Sequence, residues 1–315
     1  MNTNTRMWLV AAAAVAVNGC TAKAPDLDFG AQPPVRRYDI VQSLAGHGAA
    51  ILGGTQTGAL LASADGGRTW ARKDVGPHSF VAIAACPDGS YFAADFYHHV
   101  LPVAADGTPG KPVKLENPGT PLAVACDAAG RWWVAGTYAT LAMSADRGQT
   151  WTVQEFGEDA HLTTLQFIDD AHGVMAGEFG MLFTTSDGGA TWTRGPNLPN
   201  EFYPYAAYFA SPTEGWVAGI AGQVLHTADA GATWTREPND SGIALYRLFL
   251  VDGRLHGVGA AGVLARGDDG NWRPLPAKAA MPSFAGSAAP VLTDGRRDVV
   301  VGGVGTPLVF NLPAG

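Results

Sequence analysis

Apolar residues recur along this chain in short runs, each ended by a turn signal, and the same succession of runs and turns returns about every 40 residues. One unit shows the order. The run Leu162 to Ile168 is followed by a turn at Asp169 to Gly173 and a strand Val174-Met175-Ala176-Gly177. A tight connection, Gly177-Glu178-Phe179-Gly180, leads to a third strand, Met181 to Thr185, then a polar hairpin, and a fourth strand starting at Trp192. The connecting glycine pair recurs as Gly219 with Gly222 and as Gly259 with Gly262.

The polar hairpin is the sharpest part of the repeat. Ser63-Ala64-Asp65-Gly66-Gly67-Arg68-Thr69-Trp70 returns as Ser144 to Trp151, with Asp146 in third place. It returns again as Thr185 to Trp192, with Asp187, and as Thr227 to Trp234, with Asp229. The tryptophans are 81, 41 and 42 residues apart, and the 81 is two periods with a degenerate copy at Ala105-Asp106-Gly107. A shortened box, Asp268-Asp269-Gly270-Asn271-Trp272, extends the series, and one more period lands on Phe310, which makes seven units. Four short antiparallel strands per unit with no helix between them predict an all-β, seven-bladed β-propeller of four-stranded antiparallel blades. The last unit stops one strand short, so Pro34 to Tyr38 are expected to close the ring as an N-terminal strand in the last blade.

Each box has its own local chemistry. The aspartate accepts backbone N–H groups that follow it, the second glycine takes φ > 0, and the flanking hydroxyls satisfy other turn groups. The tryptophan packs beside the sheet. One carboxylate per box is too few for a calcium loop. Asp65, Trp70, Asp146, Trp151, Asp187, Trp192, Asp229 and Trp234 are therefore read as structural.

Hydrophobic residues make up 47% of the chain and charged residues 15%, which excludes a disordered or coiled-coil protein. A formal charge of -8 offers no field for a phosphate backbone, so nucleic acid is not an expected partner. At the N-terminus, Arg6 precedes an apolar run from Met7 to Val17, too short for a bilayer span but suited to a secretory signal. The end of that run, with Gly19 before Cys20, resembles the lipobox of bacterial lipoproteins. That resemblance implies acylation of Cys20, and Thr21 after it implies the outer membrane. The expected organisation is a signal peptide over 1–19, a lipidated tether over 20–35 and a propeller over 36–315, facing the periplasm.

The boxes resemble the Asp-box, or bacterial neuraminidase repeat. The longer phrase from Glu214-Gly215-Trp216-Val217-Ala218-Gly219 to Trp234 is similar to the repeat of the photosystem II stability and assembly factor family, with counterparts in His172 to Trp192 and Arg131 to Trp151. The resemblance implies a non-catalytic, cofactor-free propeller that helps a membrane or envelope protein complex, a transporter for example, to assemble. In photosynthetic members the partner surface includes an arginine patch, whereas here the arginines are scattered among the units. The alternative is a sialidase-like glycosidase or a glycan-binding lectin. That class needs converging arginines, a Tyr–Glu nucleophile pair and an acid, and its Arg-Ile-Pro signature is missing, as is a G-x-S-x-G elbow. No residue is assigned to catalysis or to a metal.

In a propeller, the connections from second to third strand and from blade to blade open on one face, where binding residues gather. This face is expected to carry Asp95, Phe96, Tyr97, Tyr138, His161, Glu178 and Phe179. The inter-blade loop from Gly195 to Tyr205 adds Glu201, Phe202, Tyr203 and Tyr205. Of these, Phe96, Tyr97, Tyr138, Glu178, Phe179, Glu201, Tyr203 and Tyr205 are the candidate partner contacts, because aromatic residues are enriched at protein interfaces. His98 and His99 are read as neighbours on one strand, pointing to opposite faces as a polar edge. Cys86 and Cys126 are expected as buried thiols at equivalent places in neighbouring blades, with a disulfide the less favoured alternative.

Overall fold

The second strand of each unit is its most buried, and in four blades it is buried along its whole length: Tyr91–Asp95, Trp132–Gly136, Gly173–Gly177 and Gly215–Gly219. Such strands cannot alternate, because both of their faces meet neighbouring blades. The outermost strands, such as Ala71–Asp74 and Thr152–Glu155, face water and read as polar.

A computed structural model of the chain describes residues 33–260 and 262–313, without the side chain of residue 201. It is an all-β, seven-bladed propeller of antiparallel sheets. Blade 4 is typical, with strands Leu162–Phe167, Gly173–Gly177, Leu182–Thr185 and Thr193–Arg194 paired in sequence order. The inner strands are Val41–His47, Phe80–Ala85, Pro121–Cys126, Leu162–Phe167, Pro204–Phe209, Leu245–Val251 and Ser287–Thr293. They stand side by side in a closed ring, the last against the first. Blade-to-blade packing is apolar: Trp133 and Leu141 of blade 3 meet Leu162, Met175 and Phe183 of blade 4 in one buried cluster.

Ring closure differs from the expectation. Six sheets have four strands, and the seventh, Ser287–Thr293, Arg296–Gly302 and Leu308–Phe310, has three among the described residues. Residues 34–38 do not add a strand to it. Pro33 and Pro34 carry no N–H to donate, and Asp39 folds the segment into a turn by accepting the Arg36 N–H at 2.7 Å. Closure comes instead from the Ile40–Val304 bridge, from Val41 N–H donating to Gly303 at 2.8 Å, and from the Ser287 hydroxyl donating to Val41 at 2.9 Å. Val35, expected at the end of the tether, is buried with Val41, Leu61, Val291 and Val300. The signal peptide, Cys20 and the tether up to residue 32 lie outside the described residues.

Inner strands of successive blades begin with a bulge. Pairing skips Gln42, Val81, Leu122, Thr163, Tyr205 and Tyr246. A bulge re-aims the extra side chain, here at the end of the strand beside the blade-to-blade connections.

Candidate partner-binding rim

Antiparallel alternation sends the four boxes to one end of the propeller, where they join third to fourth strands. It sends the connections between second and third strands, together with the blade-to-blade segments, to the other end. That second end is the candidate rim.

At the rim the second strands of blades 3 to 6 run close under the incoming chain. A Cβ on Gly177 would lie 2.4 Å from the His161 carbonyl oxygen, and one on Gly219 would lie 2.4 Å from that of Tyr203. Only glycine fits there. The chain then turns through two consecutive residues with positive φ, the first of them Tyr138 at 57°, Phe179 at 57° and Ala221 at 56°. The left-handed region is unfavourable for bulky residues, and tyrosine and phenylalanine there signal a conformation imposed by the surrounding fold. The aromatic rings lie in solvent. Phe96 is 54% exposed, Tyr97 56%, Tyr138 66%, Phe179 58% and Ile220 49%. These residues stand on the second-to-third-strand turns of four successive blades, with Tyr97, Tyr138 and Phe179 at the same position.

Other expected contacts are placed differently. The Glu178 carboxylate is turned down onto the chain, where Oε2 accepts the His161 N–H at 2.8 Å and Oε1 lies 3.5 Å from His161 Nδ1. Asp95 is fully buried. In the loop from Gly195, Phe202 and Leu198 belong to a buried cluster with Val217 and Leu225, so much of its apolar area fills the core. Glu201 ends a short 3-10 turn, Pro199–Glu201. Tyr203 and Tyr205 pack ring against ring at 5.5 Å, and Tyr205 against Tyr246 at 5.3 Å. Burial, with the charges of Glu178 and Tyr205 nearby, pushes the Tyr203 hydroxyl pKa up. Tyr203 and Tyr205 are half-buried, and Tyr246 is exposed.

Ile220, Tyr246 and Phe284 also contribute exposed apolar surface, outside the expected set of contacts. Ile220 was legible, since it follows Gly219 as Glu178 follows Gly177. Tyr246 and Phe284 carried no repeat signal. Inside the ring, Ile83, Leu122, Val124, Thr163, Leu165 and Arg247 line a narrow central cavity. The Arg247 side chain still reaches solvent there, yet its enclosure by protein pulls the guanidinium pKa down.

At the opposite end the box geometry is uniform. Asp187 accepts the Thr191 N–H at 2.9 Å and hydroxyl at 2.6 Å and the Thr185 hydroxyl at 2.8 Å, while Gly189 donates to Thr185 Oγ1 at 2.9 Å. The bonds from Thr191 and Thr185 hold the Asp187 carboxyl at a pKa of about 2, and those from Thr150 and Ser144 do the same for Asp146. Asp65 is also at about 2, where burial opposes ionisation but the bonds from Thr69, Ser63 and Arg68 outweigh it. Asp229 repeats the arrangement with Thr233 and Thr227. Trp70, Trp151, Trp192 and Trp234 are half-buried against adjacent clusters. Trp272 of the shortened box is instead fully buried in the outer strand Trp272–Pro274.

Two further expectations are corrected. Cys86 and Cys126 form a disulfide, with Cα atoms 5.1 Å apart. Equivalent positions in neighbouring blades come this close because both lie where inner strands end, near the axis on which the blades converge. His98 and His99 do not share a strand: His98 sits in the turn at φ 65°, and His99 opens the third strand, His99–Val103.

Residues 152–243 match the family model described as photosynthesis system II assembly factor YCF48. No match was found among curated protein sequences. Among solved structures, the chain is similar to YCF48 from Cyanidioschyzon merolae, with 15% identity, TM-score 0.65, and 89% of this chain and 98% of that one covered. It is also similar to YCF48 bound to D1 peptide, with 19% identity, TM-score 0.57, and coverage of 77% and 80%. A virginiamycin B lyase from Staphylococcus aureus aligns at 11% identity and TM-score 0.72 over 88% and 96%. At such identities these likenesses speak for the fold. The chain is thus a seven-bladed β-propeller whose residues 152–243 match the YCF48 family model.

Proposed function

We propose that this chain is a non-catalytic scaffold whose rim holds a segment of a protein partner while a membrane or envelope complex, such as a transporter, is assembled. The observation that carries this reading is the run of exposed apolar tips, Phe96, Tyr97, Tyr138, Phe179 and Ile220, at equivalent turns of blades 2 to 5. Left-handed turns that hold large apolar side chains in water are costly unless something covers them. The D1 peptide held by a YCF48 of the same fold supports an extended protein segment as the ligand. The Cys86–Cys126 disulfide suits an oxidising compartment, in keeping with an exported chain anchored through Cys20 to the outer membrane and facing the periplasm.

Affinity capture from detergent-solubilised membranes tests the rim. Tyr138→Ala combined with Phe179→Ala should lower recovery of the partner at least tenfold, about 1.4 kcal/mol of contact energy, without moving the melting temperature. Unchanged recovery would remove the rim as the interface. Fatty-acid labelling tests the anchor, since Cys20→Ser should abolish the label, and a variant that still takes it up ends the lipoprotein reading.

A further inference from the structure

The residue that ends each second strand pairs with the first residue of the inner strand, and in five blades it is glycine: Gly136, Gly177, Gly219, Gly259 and Gly302. Blade 1 has Thr55 there and blade 2 has Asp95. Thr55 shows how little the turn needs, because its Oγ1 accepts the Ala59 N–H at 2.9 Å. Asp95 meets the same need with Oδ1 alone, which accepts the His99 N–H at 2.7 Å. Its second oxygen is surplus to the turn, yet the side chain has no solvent exposure.

Two imidazoles converge on that oxygen. His78 Nδ1 touches Oδ2, and His99 Nδ1 lies 3.4 Å from it. The His99 Nδ1 atom is buried and has no hydrogen-bond partner. All three ligand atoms fall within 4.8 Å of one another. The rings are held in place: His78 stacks on Phe80 at 5.7 Å and meets His99 edge-on at 5.6 Å. A buried carboxylate with two imidazole nitrogens is a donor set for zinc, whereas calcium and magnesium prefer oxygen ligands throughout. Three protein ligands leave a fourth position, and His99, 35% exposed, gives the site a route to solvent.

We propose that His78, Asp95 and His99 form a Zn2+ site at the foot of the Phe96-Tyr97-His98 turn, with one coordination position left for water or an incoming ligand. The ion would hold the neutral imidazoles through Nδ1 and tie the start of blade 2 to its rim turn. This site stands whether or not the rim binds a protein.

Calorimetric titration of the untagged, chelator-stripped full chain with zinc chloride tests it. The wild type should bind one Zn2+ per chain, and its melting temperature should rise with zinc. His78→Ala and His99→Ala should each weaken binding at least tenfold and remove the zinc-dependent rise, while melting like the wild type in chelator. His98→Ala should bind as the wild type does. Absence of zinc binding by the wild type, or His99→Ala binding unchanged, would overturn the site and leave Asp95 as a hydrogen-bonded cap for the turn.

Discussion

Glu237, at the end of the outer strand of blade 5, accepts the indole N–H of Trp272 from the outer strand of blade 6 at 2.9 Å. The same buried carboxylate pairs with Arg266 of blade 6 at 2.7 Å and lies 3.3 Å from the Trp216 indole nitrogen of its own blade. Hydrogen bonding to Glu237 raises the Arg266 pKa. One side chain thus ties two blades together through a charge and two indoles. Glu237→Ala strands Arg266 and Trp272 and should cost about 3 kcal/mol in urea unfolding, with Glu237→Gln costing less because it still accepts an indole N–H. Equal losses in the two variants would show that the indole hydrogen bonds contribute nothing beyond the ion pair.

The box aspartates set the acid limit of the fold. Their folded-state pKa values of about 2 at Asp65, Asp146 and Asp187 lie below the ordinary 3.8. A depressed carboxyl stabilises the fold above its unfolded value and loses that contribution as pH falls through the folded one. The melting temperature should therefore fall between pH 3.8 and about 2, and less steeply in Asp187→Asn, which keeps the turn but not the charge. A parallel slope in that variant would remove the boxes as the cause.

The disulfide closes 40 residues of chain. Its reduction should lower stability by about 2 to 4 kcal/mol, read as a drop in denaturation midpoint in dithiothreitol. Mass spectrometry after alkylation of the unreduced, denatured chain should leave Cys86 and Cys126 unmodified.

Close approach at the rim predicts a contrast between two glycines. A Cβ at Gly219 would come within 2.2 Å of the Phe202 ring, whereas one at Gly195 meets nothing closer than 3.8 Å. Gly219→Ala should destabilise by about 3 kcal/mol, and Gly195→Ala should be close to neutral. Thermal melts of the two variants side by side decide it.

What the sequence by itself determined was everything local to the repeat. Period, strand order and box hydrogen bonding lie within spans of about 40 residues, so the spacing of Asp187 and Trp192 and the pairing of Gly177 with Gly180 were enough to reach seven antiparallel blades. The tips Tyr138 and Phe179 were legible for the same reason. Tertiary structure decided whatever depends on distance between blades. Cys86 meets Cys126 because inner strands converge toward the axis, and Glu237 meets Trp272 because outer strands of neighbouring blades touch. Residues 34–38 turn instead of closing the last blade because Asp39, buried in the ring, takes both the Arg36 N–H and, at 2.7 Å, the Arg72 guanidinium. His78, Asp95 and His99 were out of reach for a related reason. Adjacency in sequence pairs His99 with His98, whereas its neighbour in space, His78, lies in the segment entering blade 2, and only folding brings it there.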